Sequence, residues 1–159
     1  MAWLQPKTDW KESYDEDGRY TGDYFNVEDY NRIKNNIIEL RTMSIQLVPE
    51  YSFPKYIIDI DTESDKEYDD YPYADEINAL TGRLEAIMEN TFTTAIAHNA
   101  WTREFSIGRR ILYYDNSPFI GFADLNRIES ACLRIYNTIT AQHNSRRRLA
   151  FYLGRKERF

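Results

Sequence analysis

Cysteine is nearly missing from this sequence: Cys132 stands alone among 159 residues. An intrachain disulfide is therefore excluded, and a reducing compartment is the natural setting. Histidine is almost as scarce, with only His98 and His143. Neither has an acid or a nucleophile at a spacing that builds a catalytic relay. Glycine occurs six times and forms no phosphate-cradling loop. There is no Gly-x-Ser-x-Gly turn and no His-Glu-x-x-His run. No apolar run approaches the roughly 20 residues that a membrane span needs. The opening Met1-Ala2-Trp3-Leu4-Gln5-Pro6 has neither a basic region nor a long apolar stretch, so no secretory signal is expected. These gaps argue against an enzyme, and no cofactor is expected. Paired-carboxylate hydrolysis stays open, because 26 acids always offer pairs, but no spacing selects one.

Aromatic residues, in contrast, are abundant: 13 Tyr, 8 Phe and 3 Trp, or 15% of the chain. Tyrosine has an apolar body and a polar tip, which suits surfaces that are partly wet and partly buried. Net charge is −6, but the distribution says more. Residues 1–102 hold nine Lys plus Arg against 21 Asp plus Glu, a net of −12. Residues 103–159 hold 11 against five, a net of +6. The two halves either neutralise each other within one fold or offer acidic and basic faces to different neighbours.

A short motif occurs three times. It reads Glu28-Asp29-Tyr30-Asn31-Arg32-Ile33, then Asp75-Glu76-Ile77-Asn78-Ala79-Leu80, then Ala123-Asp124-Leu125-Asn126-Arg127-Ile128. The asparagines are 47 and 48 positions apart, a period typical of repeated supersecondary units. The register extends outward, aligning Ile37 with Leu84 and Cys132, and Leu40 with Ile87 and Ile135. Cys132 is thus read as a small core residue. An aromatic precedes each motif: Phe25, Tyr73 and Phe122. One small unit used three times around a shared core is the implied object.

The pass along the chain gives a mainly α (α+β) fold: an N-terminal arm, 1–24, and one domain of three helix-strand repeats, about 25–70, 71–116 and 117–159. The arm is irregular, and its Trp3 and Trp10 are expected to anchor it. Asn26 is a good N-cap for the first helix, with Asp29 as a capping-box-like partner, and Pro49 stops that helix. The second helix is placed at about Ala74–Asn90 and the third at about Phe122–Ala141. Strands are expected at 54–61, over 103–114 with a bend at Gly108, and at Leu149–Leu153.

Asparagine is a poor helix residue, because its amide competes with the backbone. Its retention at Asn31, Asn78 and Asn126 therefore needs a reason. An amide has donors and an acceptor, so it can clamp a loop that has no ladder partner. A ligand or subunit contact is the other reading. Arg32 and Arg127 follow two of these asparagines and are read either as solvated flanks or as interface residues. The acidic run 59–70 resembles the start of a calcium loop. Ser64 replaces the turn glycine, and Asp70 the bidentate Glu, so a solvated loop fits better. The basic tail, with Arg146, Arg147, Arg148, Arg155, Lys156 and Arg158 around Phe151 and Tyr152, could hold phosphate backbones. The overall charge and the lack of a recognition motif argue against nucleic acid. A protein contact through Arg146, Arg147, Arg148, Phe151 and Tyr152 is expected instead.

The strings Tyr24-Phe25-Asn26-Val27-Glu28-Asp29-Tyr30-Asn31-Arg32-Ile33-Lys34-Asn35-Asn36, Tyr71-Pro72-Tyr73-Ala74-Asp75-Glu76-Ile77-Asn78 and Pro118-Phe119-Ile120, with Leu125-Asn126-Arg127-Ile128-Glu129, carry a resemblance. They resemble a family of small proteins encoded in the tail-gene region of temperate phages of Gram-positive bacteria. The likeness covers roughly residues 3–153, from the Trp3…Trp10 opening to the Leu149–Gly154 ending. It implies a virion structural protein of a phage tail, assembled in the host cytoplasm. The expected function is that of a non-enzymatic adaptor near the baseplate or tail fibre. It would contact other tail proteins, with homo-oligomeric assembly and no membrane or nucleic-acid partner. The resemblance implies no catalytic residues. Two other readings stand beside it. One is a carbohydrate-binding module at the tail tip, stacking sugars on Trp10, Trp101 and exposed Tyr. The other is a cell-wall hydrolase.

Overall fold

Asn26 sets the start of the first helix, α1 (Val27–Leu47). Its carbonyl accepts from the N–H groups of Asp29 and Tyr30 at 3.1 and 3.2 Å. The Asp29 carboxylate reaches back to accept the Asn26 N–H at 2.9 Å, the returning half of a capping box. The computed structural model describes residues 3–47, 64–70, 74–91, 112–116 and 120–156. Within these, two more helices follow, α2 (Ala74–Thr91) and α3 (Phe122–Lys156). Each helix carries acidic residues in its first turn, the favourable sign for the positive end of its dipole.

Each pair of helices packs together. The apolar stripes meet in one core: Ile33, Ile37 and Leu40 from α1, Leu80, Leu84 and Ile87 from α2, and Leu125, Ile128, Cys132, Ile135 and Ile139 from α3. The aligned trios Ile37/Leu84/Cys132 and Leu40/Ile87/Ile135 are all buried. Burial also pushes the Cys132 thiol pKa upward, which keeps it protonated and inert.

The helix starts gather at one pole. Arg32, early in α1, binds Glu129, early in α3, while the arm's Leu4 binds Asn36 and its neighbour Trp3 stacks on Tyr136 further along both. Lys66 bridges Asn31 and Glu76, tying the start of α2 to that of α1. Tyr113 bridges Asn78 and Asp124, tying α3 to α2. Parallel helices need long returns, and the connections 48–73 and 92–121 have 26 and 30 residues. About ten extended residues would span the roughly 31 Å of α1.

The arm runs antiparallel to α3. Trp3 stacks on Tyr136 at 4.2 Å, the Lys7 N–H donates to Glu129, and Trp10 lies by Asn126 and Phe122. It then doubles back in a small hairpin with an isolated bridge between Tyr14 and Tyr20. Gly18 makes the reversal at φ 77°, a conformation side chains resist. At Gly22 a Cβ would lie 2.7 Å from the Lys11 carbonyl oxygen, so only glycine lets the two limbs of the hairpin approach.

Two expectations need correction. α3 does not stop near Ala141, and Leu149–Leu153 is not a strand: the helix continues through both to Lys156. The stretch after 141 has no proline, and Ala, Gln, Leu and three Arg are good helix formers. Extending an existing helix costs far less than starting a new element. The aromatic pair Phe151-Tyr152 is too short a β signal to compete. The expected strand at 54–61 and residues 103–111 of the other lie outside the described residues. The rest of the latter, Leu112–Tyr114, is irregular and leads into a turn at Asp115-Asn116, with Asn116 at φ 64°.

Candidate functional site

The three motif asparagines are each the fifth residue of their helix. Each side-chain amide grips one residue's backbone through both its groups. Asn31 Nδ2 donates to the Lys66 carbonyl at 2.9 Å, and the Lys66 N–H donates to Asn31 Oδ1 at 2.8 Å. Asn78 holds Tyr113 in the same way at 2.8 and 2.9 Å. Asn126 holds Trp10 at 2.8 and 2.7 Å. The clamped residues lie in the segments that lead into α2, α3 and α1 respectively. Each helix therefore fixes the approach to the next, and α3 closes the ring by holding the arm. A backbone N–H and C=O outside any ladder must find partners, and the amide supplies both at once.

Two of the clamped side chains, Lys66 and Tyr113, reach onward to the next helix. Lys66 Nζ lies 2.7 Å from Glu76 Oε1, and the Tyr113 hydroxyl donates to Asp124 at 2.8 Å. Each of those acids stands two residues before the next asparagine. The accepting carboxylate and burial both raise the Tyr113 phenol pKa, burial more strongly. At α1 the matching acid is Asp29, taken by Arg32 at 2.7 Å.

Three residues after each asparagine comes a buried polar group: Lys34, Thr81 and Glu129. This is one helical turn along the same face. Glu129 accepts from the Lys7 N–H at 3.1 Å, from Arg32 Nε at 2.8 Å and Nη2 at 3.0 Å, and from the Trp10 indole N–H. Trp10 itself is buried, stacked on Phe122 at 5.6 Å, with Arg32 5.9 Å from its ring centroid. Lys34 has a 1% exposed side chain and pairs with Asp65 at 2.8 Å, next to the clamped Lys66. Thr81 bonds back to the Ile77 and Asn78 carbonyls. This second layer was missed in the sequence, although the position after each motif carried the signal. A further clamp, Asn36 on Leu4 at 2.8 and 3.0 Å, had only the Asn35-Asn36 pair to announce it.

The other site residues separate from this cluster. Arg127 pairs with Asp124 at 2.9 Å, and Arg32 is held by two carboxylates, so neither is a freely solvated flank. Arg146, Arg147, Arg148, Phe151 and Tyr152 lie on the far part of α3, well away from the clamps. The acidic positions 59–63 and Trp101 lie outside the described residues. Among the described residues, no group of three or more His, Cys, Asp or Glu is placed to hold a metal ion. No helix there is long and apolar enough to cross a membrane. Trp10 is buried, so it offers no face to a sugar. At the hairpin the exposed Tyr14 and Tyr24 each meet the half-buried Tyr20 edge-on, at 76° and 72°, which is no coplanar platform.

Compared with known proteins, no family model, curated protein or solved structure matches this chain.

Proposed function

We propose that this chain is a non-enzymatic structural protein of a phage tail or phage-derived particle. It acts as an adaptor in the baseplate or fibre region through protein–protein contacts, as part of the virion assembled in the host cytoplasm. One observation carries the structural half of this reading: the polar group repeated three times in the sequence is committed to closing the fold. Asn31, Asn78 and Asn126 each have both amide groups occupied by a backbone partner. An amide engaged in this way has little left for chemistry on a substrate. We read the three helices as pseudo-repeats around an approximate threefold axis, each unit holding the next. The phage setting is supported by the resemblance of the motif strings, and the adaptor role by the acidic and basic halves and the Tyr-rich surface.

The test is an epitope-tagged copy expressed in a lysogen whose particles are then induced. The tagged chain should co-sediment with tails on a density gradient and be located on them by electron microscopy. A chain that stays in the free lysate fraction while tails assemble normally would overturn the virion reading. Cleavage of purified cell wall by the folded protein would overturn the non-enzymatic one.

A further inference from the structure

The two ends of the molecule differ in chemistry. At the pole where the helices begin, a pocket of about 510 Å³ opens between the start of α1, the turn at 67–70 and the start of α3. Tyr30, Ile120 and Phe122 supply its apolar lining, and Glu28, Asp69 and Asp70 supply three carboxylates against one cation, Lys66, which Glu76 pairs at 2.7 Å. All three of those acids are exposed. At the other end, residues 144–156 of α3 hold Arg146, Arg147, Arg148, Arg155 and Lys156, with Phe151 and Tyr152 and no acid.

The pocket's carboxylates and the basic residues of this stretch are opposite in charge but cannot meet within one chain. Phe122, which lines the pocket, is the first residue of α3. Arg146 lies 24 residues further along the same helix, or about 36 Å at 1.5 Å per residue. An acidic rim over an apolar floor fits a segment in which two basic clusters, Arg146–Arg148 and Arg155-Lys156, flank the apolar and aromatic run Leu149–Leu153. The parallel helix dipoles add to this, since the negative C-terminal end of α3 in one copy would face the positive N-terminal pole of another.

We propose that this pocket is the docking site for the basic C-terminal stretch of α3 from a second copy of the chain. The contact is head-to-tail, so each copy offers its pocket to one neighbour and its tail to another. Such heterologous contacts close into rings when the rotation allows and otherwise extend as filaments. The inference builds on the structural-protein reading for its setting, but it concerns the isolated chain.

Sedimentation of the purified full-length protein tests it across a concentration series at about 0.05 M and about 0.5 M salt. The mass should rise with concentration beyond a dimer at low salt, and the association should weaken at high salt. The charge reversals Glu28→Lys/Asp69→Lys and Arg146→Glu/Arg147→Glu/Arg148→Glu should each weaken self-association by about tenfold or more. Mixed one to one, the two variants should recover association to within about threefold of the wild type, because each pocket then meets a tail of opposite charge. Circular dichroism melts of both variants establish that they fold. A wild type that stays monomeric at low salt overturns the proposal, as do folded variants that associate as well as the wild type. Failure of the mixture to recover also overturns it. Co-sedimentation with tails alongside a monomeric purified chain would remove this contact and leave the virion reading in place.

Discussion

Asp65 and Lys34 show how much one residue's surroundings decide. Lys34 is buried, and Asp65 supplies its anion from the surface. Hydrogen bonds from Lys34 first and Asn35 second hold the Asp65 carboxyl below its ordinary value. A depressed acid stabilises the fold above its unfolded value of about 3.9, and that contribution is lost as pH falls through the folded value. Below that point the buried Lys34 ammonium loses the negative charge of Asp65. The effect is modest, because Asp65 is more than half exposed and its charge is screened by water. Asp65→Asn should therefore lower Tm near neutral pH and flatten its fall between about pH 5 and pH 3 relative to the wild type. Parallel acid limbs in the two melting series would remove Asp65 from the account.

Among the elements, the arm depends most on distant partners. Residues 3–10 are held by Asn36, Glu129, Asn126 and Tyr136, all remote in sequence. Trp10 does two jobs there. Its ring fills the space between Phe25 and Phe122, and its N–H serves the buried Glu129 carboxylate. Trp10→Ala should lower the unfolding free energy by about 3–5 kcal/mol through lost packing. Trp10→Phe keeps most of the ring and removes only the donor, so it should cost about 1–3 kcal/mol. Denaturant titration separates the two contributions. A Phe variant as stable as the wild type would mean that Lys7 and Arg32 satisfy Glu129 by themselves. The second notable element is α3, which carries the buried Ile135 and Ile139 and continues as a helix to Lys156. Propensity and cooperative elongation both favour the helical backbone of that extension.

At the scale of the whole molecule, the clamps form a cycle, and cutting it at different places should open different parts. Asn31→Ala releases the segment at 64–70, Asn78→Ala the one at 112–116, and Asn126→Ala the arm. Each loses two hydrogen bonds and strands two backbone groups, a cost of about 1–3 kcal/mol. For a chain of this size that is roughly 2–4 °C of Tm per kcal/mol. Hydrogen exchange resolves the pattern. In each variant the named segment should lose protection first, while amides around Ile37, Leu84 and Ile135, all fully buried, stay the slowest. Uniform loss of protection in all three variants would show that the clamps support only global stability and do not order separate approaches to the helices.

What the sequence determined by itself was local or periodic. Asn26 with Asp29 announced the first cap, and the stripes Ile37–Leu40, Leu84–Ile87 and Cys132–Ile135 announced the buried faces. The spacing of Asn31, Asn78 and Asn126 singled out residues that do hold the backbone. Each of these signals lies within a turn or two of helix, where 3.6-residue periodicity and side-chain capping act. Only the tertiary structure decided which backbone each asparagine grips, because those partners lie 35 or 116 residues away and nothing local encodes them. It also decided that Glu129 belongs to Trp10 and Arg32, and that Lys34 is buried. The cost of burying a charge is set by what surrounds it, and those surroundings exist only once the arm and the three helices have come together.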